Sequence, residues 1–217
     1  MKTKFIFTAL FIVFSFTVFS QTINVLKDKR DGKNYNITKI GDQIWISENL
    51  KYVTNSGSYC YNDSIDNCNK YGRLYTWEAA KQACPAGWHL PDEQEWTTLI
   101  NYLGGNEVAG GKLKSTTGWN KPDSVSKIQC GHTTHKDGAL GSHDSIATNS
   151  SGFTALPSGG KYLNSTFDYS KAYSLLWSST EYNVTQAWYF YLYYNVAEVQ
   201  KYYSIKLNGF SVRCVKN

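Results

Sequence analysis

The chain has 217 residues, with 22 basic against 17 acidic side chains for a net charge of +5; aromatics reach 16%, including 17 tyrosines and 7 tryptophans. Charged residues make up only 18% and form no Lys/Arg cluster, which argues against a nucleic-acid partner. The length suits one domain of ordinary size with a real core.

The first twenty residues read as an export signal. Lys2 and Lys4 make a basic start, Phe5 to Phe19 is a mostly apolar run, and Ser20/Gln21 offers a cleavage point. The run falls short of the roughly 20 residues that span a bilayer. The expectation is a secreted or cell-surface protein with no membrane span once the signal is removed. No cysteine precedes Cys60, which excludes a lipid-modified cysteine at the mature start. Without Lys2 and Lys4 the balance is 20 basic against 17 acidic residues, a net of +3.

Residues 21–33 read as a polar, loosely held lead-in, and residues 34–217 as one domain. Asn34 to Leu50 predicts a hairpin, in which Ile37 and Ile40 precede a Gly41-Asp42 turn and Ile44, Trp45 and Ile46 follow it. Lys51 to Lys70 reads as a polar loop. Next come two short helices. Thr76 is the expected N-cap of the first, with Trp77, Ala80 and Cys84 on one face, and Pro85 to Gly87 break it. Asp92 with Glu95 forms a capping pair for the second, whose apolar stripe is Trp96, Leu99, Ile100 and Leu103. Gly104 and Gly105 stop it.

From Val108 to Ser151 the pattern dissolves, apart from a brief segment at Lys112 to Trp119 whose tryptophan docks inward. Asn120 to Ser151 is too long for an ordinary connection. Phe153 to Pro157 resumes as a short strand and turn, and Leu175 to Trp177 is a further buried candidate. Ala187 to Tyr194 is the clearest strand. Trp188, Phe190, Leu192 and Tyr194 point one way, and Tyr189, Tyr191 and Tyr193 the other. Val196 to Ile205 is its partner. After an Asn208-Gly209 turn, Phe210, Val212 and Cys214 alternate inward on a terminal strand.

Five cysteines in an exported chain suggest disulfides. Cys60 and Cys68 flank a short loop and are expected to pair locally. Cys84 leaves the first helix and Cys214 sits in the last strand; joining them would close a loop of about 130 residues. Cys130 is left over.

Several segments together resemble the Fibrobacter succinogenes major paralogous domain family: Asp31 to Tyr52, Tyr71 to Trp96 with its CPAGWHLP, Ser151 to Gly160, Leu175 to Glu181, and Asn208 to Lys216 with its SVRCV. Members of that family are similar to exported or surface proteins of Bacteroidetes-type bacteria. The family is in turn similar to the C-type-lectin-like fold, which includes the sulfatase-modifying enzymes. The resemblance implies an α+β chain of two short helices, a long loop region and small antiparallel sheets whose first and last strands meet. It also implies a Cys84–Cys214 bond, and ligand binding in the loop region from Asn120 to Asp168. Residues 120–148 look like an insert that the family pattern does not cover.

Three kinds of chemistry have candidate residues in the sequence. His132, His135, His143 and Asp144 fall within thirteen residues of the insert and have the side chains to ligate a transition metal, with Cys130 as a further donor. That set defines an alternative, a metal-dependent enzyme, although no regular element is expected to preorganise the loop. A lectin-type calcium site needs carboxylate and amide oxygens. Here Trp177-Ser178-Ser179 stands where one ligand run would be, no Glu-Pro-Asn occurs, and Glu181, Asn183, Asp168 and Asn164 are the nearby donors. An oxidase of the sulfatase-modifying kind needs paired reactive cysteines, and apart from Cys130 in the insert the cysteines here are expected in disulfides. His89 reads as a core histidine without a catalytic partner. No nucleophile elbow or HExxH helix is present.

What remains is recognition without catalysis or a required cofactor. Tyr162, Tyr169, Tyr173, Tyr182, Tyr189, Tyr191 and Tyr193 are candidates for a face that stacks on a glycan or anchors a surface protein, with Trp177 and Glu181 beside the central three. A structural cell-surface subunit without a small ligand is the other alternative.

Overall fold

The structure, a computed structural model, describes residues 24–120 and 146–217. The first hairpin forms as its pattern requires: β2 (Asn34–Ile40) and β3 (Gln43–Ile46) pair antiparallel, with Ile40 opposite Gln43. The connecting Gly41 has φ +61, the backbone that a glycine-first two-residue turn demands. The lead-in is more ordered than its polarity suggests. Asn24–Lys27 forms β1, an edge strand on β2. Behind it Asp28 is buried and paired to Arg30 at 2.7 Å.

The polar segment that follows is not a plain loop. It contains a two-residue strand β4 (Ser58–Tyr59), a 3-10 turn at Tyr61–Asp63 and helix α1 (Ile65–Tyr71). The Cys60–Cys68 disulfide joins the turn to the helix. Strand β5 (Leu74–Tyr75) pairs with β4, and helix α2 (Trp77–Ala83) follows; Thr76 takes the N-cap position without a side-chain capping bond. After β6 (Trp88–His89), helix α3 (Glu93–Tyr102) opens on the full capping box of Asp92 and Glu95. Its stripe of Trp96, Leu99, Ile100 and Leu103 is buried.

A fourth helix, α4 (Asn106–Leu113), stands where the sequence pattern fades. Its two glycines explain both facts. Each costs a helix about 1 kcal/mol relative to alanine, yet a Cβ at Gly110 would sit 2.4 Å from the Glu198 carbonyl oxygen, and one at Gly111 2.4 Å from that of Ile146. Bare backbone is what lets α4 reach the sheet. The expectation of two helices is therefore corrected to four among the described residues.

The second half is a curled sheet in the order β11-β10-β9-β7-β8, built from β7 (Ser158–Lys161), β8 (Phe167–Ser170), β9 (Tyr173–Glu181), β10 (Gln186–Tyr193) and β11 (Val199–Ile205). The first sheet runs β1-β2-β3-β12-β6, where β12 is Val215–Lys216. The terminal segment joins the two. Phe210 bridges Tyr75, Ser211 bridges Leu176, and Val215 pairs with both Trp45 and His89. Every residue from Asn208 to Val215 is buried, so the expected alternation of inward and outward positions does not occur: both sides of this segment face protein. Cys214 is bonded to Cys84, tying the end of α2 to the chain's last strand.

Two hydrophobic clusters result. One centres on Trp45, Trp96, Phe153 and Phe190, with Trp96 stacked on Phe190 at 5.0 Å and Trp119 packed at its margin. The other gathers Tyr35, Tyr75, Trp77, Trp177, Phe210 and Cys214. Between the sheets, Lys114 is buried and its ammonium donates to the carbonyls of Tyr193 and Val196, fixing the β10–β11 turn. Burial pushes its pKa down to about 7, while the surrounding carbonyl oxygens favour the charged form.

Candidate functional site

Strand alternation on β10 sends Phe190 and Leu192 into the first cluster and leaves Tyr189, Tyr191 and Tyr193 on the opposite face. Across the β9 pairing Tyr193 lies opposite Tyr173, Tyr191 opposite Leu175 and Tyr189 opposite Trp177. The rings form a closed circuit. Tyr189 meets Phe210 at 4.8 Å and Phe210 meets Tyr162 at 6.2 Å; Tyr162 meets Tyr169 at 5.7 Å and Tyr169 meets Tyr173 at 5.2 Å. Tyr173 meets Tyr191 at 6.0 Å, and Tyr191 returns to Tyr189 at 5.9 Å. Tyr193 stacks on Tyr173 from outside the circuit at 4.5 Å. The five tyrosines of the circuit are half-buried and Phe210 is buried, so the face is a paved surface rather than a row of projecting rings.

At the Tyr162–Tyr169 end the paving opens into a groove of about 500 Å³, where Asn164, Thr166, Asp168 and Asn208 join the two rings. Its walls are set by backbone. Lys161 and Gly209 exchange hydrogen bonds at 2.9 and 2.7 Å, clamping the β7–β8 hairpin to the turn before the terminal segment. Asn208 locks the same junction, accepting from Leu163 N at 2.9 Å and donating to Ser204 Oγ at 2.9 Å. Gly159 has φ +64, and a Cβ there would lie 2.3 Å from the Asp168 carbonyl oxygen; the hairpin closes only around glycine. Asn208 and Thr166 were not legible as site residues. The Asn208-Gly209 pair signalled a turn, and nothing in the sequence places that turn against the hairpin tip.

The other candidate residues scatter. Trp177 is fully buried and its Nε1 donates to the Tyr75 carbonyl at 2.7 Å; it is a core residue, which corrects its place beside a ligand. Glu181 is exposed at the far end of β9 and ion-paired to Lys206 at 2.8 Å, whose hydrogen bond holds its carboxyl below the usual range. Of the four calcium-donor candidates, Asn164 and Asp168 share the groove, whereas Glu181 and Asn183 are not among its lining residues. His132, His135, His143, Asp144 and Cys130 lie outside the described residues. Among the described residues no group of three or more His, Cys, Asp or Glu side chains is placed to hold a metal.

A smaller cleft of about 320 Å³ lies between Arg30, Tyr52 and Gln82. Its cation is already engaged: Arg30 is bidentate to Asp28, donates to the carbonyls of Ala83 and Cys84, and lies 3.7 Å over the Tyr52 ring. That cleft has no charge to offer an anion.

His89 is not a core residue. Its side chain is 41% exposed, with Nε2 2.7 Å from Glu95 Oε1 and Nδ1 2.7 Å from Asn217 Oδ1. Each partner presents an oxygen acceptor, which suits the doubly protonated ring. Burial opposes the charge, but the hydrogen bonds to Asn217 and Glu95 and the Glu95 carboxylate outweigh it and raise the pKa. A raised folded pKa gives stability that is complete below the unfolded value of about 6.5 and lost as pH rises through the folded one. In urea unfolding, the difference between the native chain and His89→Gln is therefore expected to shrink from pH 5 to pH 9; a difference that stays constant or grows contradicts this pairing.

A family model described as the Fibrobacter succinogenes major domain matches residues 38–216. The chain belongs to that family. No curated protein and no solved structure matches the chain. In this Fibrobacter succinogenes major domain the matched span contains both walls of the groove, the tyrosine circuit and the Cys84–Cys214 bond, while β1 lies outside it. Among the described residues no helix is long and apolar enough to cross a membrane.

Proposed function

We propose that this domain is a non-catalytic glycan-binding module of C-type-lectin-like fold, exported by its first twenty residues and secreted or held at the cell surface. The observation that carries the reading is the continuity of the tyrosine paving with a groove whose polar lining is amide, hydroxyl and carboxylate. Flat rings offer stacking area to the C–H faces of a sugar, and Asn164, Thr166 and Asp168 offer hydrogen-bonding groups suited to its hydroxyls. Supporting the fold assignment, β3 of the first hairpin pairs with terminal β12, and a disulfide ties α2 to the same end of the chain. Two disulfides also suit an oxidising compartment.

The test is titration of the mature protein with a panel of oligosaccharides. For a glycan that binds, Tyr162→Ala and Tyr169→Ala are each expected to weaken affinity about tenfold or more, the usual consequence of truncating an aromatic anchor. Tyr182→Ala, which lies outside the groove, leaves affinity unchanged. A panel on which no glycan binds, while an envelope protein does, replaces this reading with protein recognition.

A further inference from the structure

We propose that Cys60–Cys68 is a thiol-exchange site, a disulfide that accepts two electrons from a dithiol while Cys84–Cys214 stays closed. The geometry around its sulfurs is unlike that of an inert staple. Arg73 Nη1 lies 3.4 Å from Cys68 Sγ and 3.6 Å from Cys60 Sγ, and Nη2 donates to the Ser58 carbonyl at 3.2 Å. Among the described residues no carboxylate forms an ion pair with Arg73. A guanidinium whose charge is not neutralised by a carboxylate is thus held against both sulfurs. Such a cation lowers a thiol's pKa, improves it as a leaving group and favours the reduced state. Asp63 and Asp66 are nearby in sequence, but both are exposed and screened by water, whereas Arg73 is in contact.

The loop itself adds to this. The bond spans eight residues and encloses two consecutive non-glycine residues in the left-handed region, Asn62 and Asp63, each with φ 51. Asn and Asp tolerate that region best among side-chain-bearing residues, but two in succession still fix a tight turn that an open ring need not hold. Access is graded too. Cys60 is half-buried and Cys68 is 4% exposed, so an external thiolate meets Cys60 first; Cys84 is half-buried and Cys214 fully buried in the same way, so the Arg73 contact, not access, distinguishes the two bonds.

The exchange balances as follows. A thiolate of the dithiol attacks Cys60 Sγ, forming a mixed disulfide and breaking the Cys60–Cys68 bond, with Cys68 leaving as a thiolate beside Arg73. The reductant's second thiol loses its proton and attacks its own sulfur in the mixed disulfide, releasing Cys60 as a thiolate. The dithiol is oxidised to a disulfide, the cystine is reduced by two electrons, and the two protons pass to solvent or to the new thiols.

The test uses the folded mature chain in a dithiothreitol series, quenched by alkylation and read by peptide mass. Cys60 and Cys68 are expected to open at about tenfold lower reductant than Cys84 and Cys214, and Arg73→Met to raise their requirement about tenfold. In Cys60→Ser, the pH midpoint for alkylating Cys68 lies below the ordinary thiol value of about 8.5, and adding Arg73→Met moves it back up. Both disulfides opening together, or a Cys68 midpoint at the ordinary value, overturns the proposal. The Cys60→Ser midpoint decides the matter alone if Arg73→Met fails to fold.

Discussion

Replacing Cys84 and Cys214 together by alanine is expected to cost the domain about 2–5 kcal/mol, the larger loss of the two disulfides. The bond closes a span of 130 residues, for which the chain-entropy treatment gives about 5 kcal/mol, with measured values often lower. The span encloses α3, α4 and the whole second sheet. Without the bond, the unfolded chain regains the freedom of that loop, and the folded chain loses a tether between α2 and a strand that pairs with both β3 and β6. At about 2–4 °C per kcal/mol for a domain of this size, the melting temperature should fall by roughly 10 °C. The Cys60→Ala/Cys68→Ala pair, whose loop spans eight residues, should cost about half as much. Calorimetry on both variants checks the ranking, and equal losses contradict the loop-length argument.

Arg213→Met is expected to destabilise by about 3–5 kcal/mol, because it strips a buried hub of its donors. Arg213 is fully buried and joins the end of β3, the segment after it and residues 153–154. Its Nε donates to Asn49 Oδ1 at 2.8 Å, Nη1 to the carbonyls of Ile46 and Phe153, and Nη2 to the Thr154 carbonyl at 2.7 Å. The guanidinium carbon also lies 4.4 Å from the centre of the Phe153 ring. Burial pushes the pKa down to about 9, opposed by the charge of Glu48, so the group is still charged at neutral pH. Methionine fills much of the volume and leaves these oxygens without donors, at about 1–3 kcal/mol for each one stranded. Arg213→Lys should fall between, since one ammonium cannot reproduce a planar fork. The loss should be local as well as global. Asn149 and Thr154 hold left-handed backbone at φ 49 and 56, and Arg213 fixes the Thr154 end. Chemical denaturation should rank Arg above Lys above Met, and limited proteolysis should cut first between residues 149 and 154. A Met variant as stable and as protease-resistant as the native chain contradicts the hub.

Features written in local chemistry were legible in the sequence. The Gly41 turn, the Asp92/Glu95 capping box, the α3 stripe and the alternation on β10 each follow from residues a few positions apart. Features that depend on distant chain were not. Helix α4 was hidden because Gly110 and Gly111 look like helix breakers until the Glu198 and Ile146 carbonyls are seen beside them. Helix α1 was hidden by its polar sequence; it is a seven-residue helix held at its middle residue by a disulfide. The terminal segment showed its apolar positions, but nothing local signalled that Ser211 and Arg213 between them are buried as well. Ser211 meets Ser158 Oγ at 2.8 Å within the same buried polar network in which Asn49 binds Arg213. Trp177 was legible as a buried candidate but not as wholly enclosed: Tyr75 and Phe210, distant in sequence, close over it and leave it no place beside a ligand. Of the groove, the tyrosines, Asn164 and Asp168 were visible in advance, and Thr166 and Asn208 were not.

Chemical-shift mapping on isotope-labelled protein, titrated with an oligosaccharide that it binds, tests glycan recognition at the groove most directly. The expected perturbations cluster on Tyr162, Asn164, Asp168, Tyr169 and Asn208 and fade along β10 toward Tyr193. Perturbations confined to the Arg30–Tyr52 cleft or to residues 121–145, with the groove silent, would place recognition elsewhere and contradict the account.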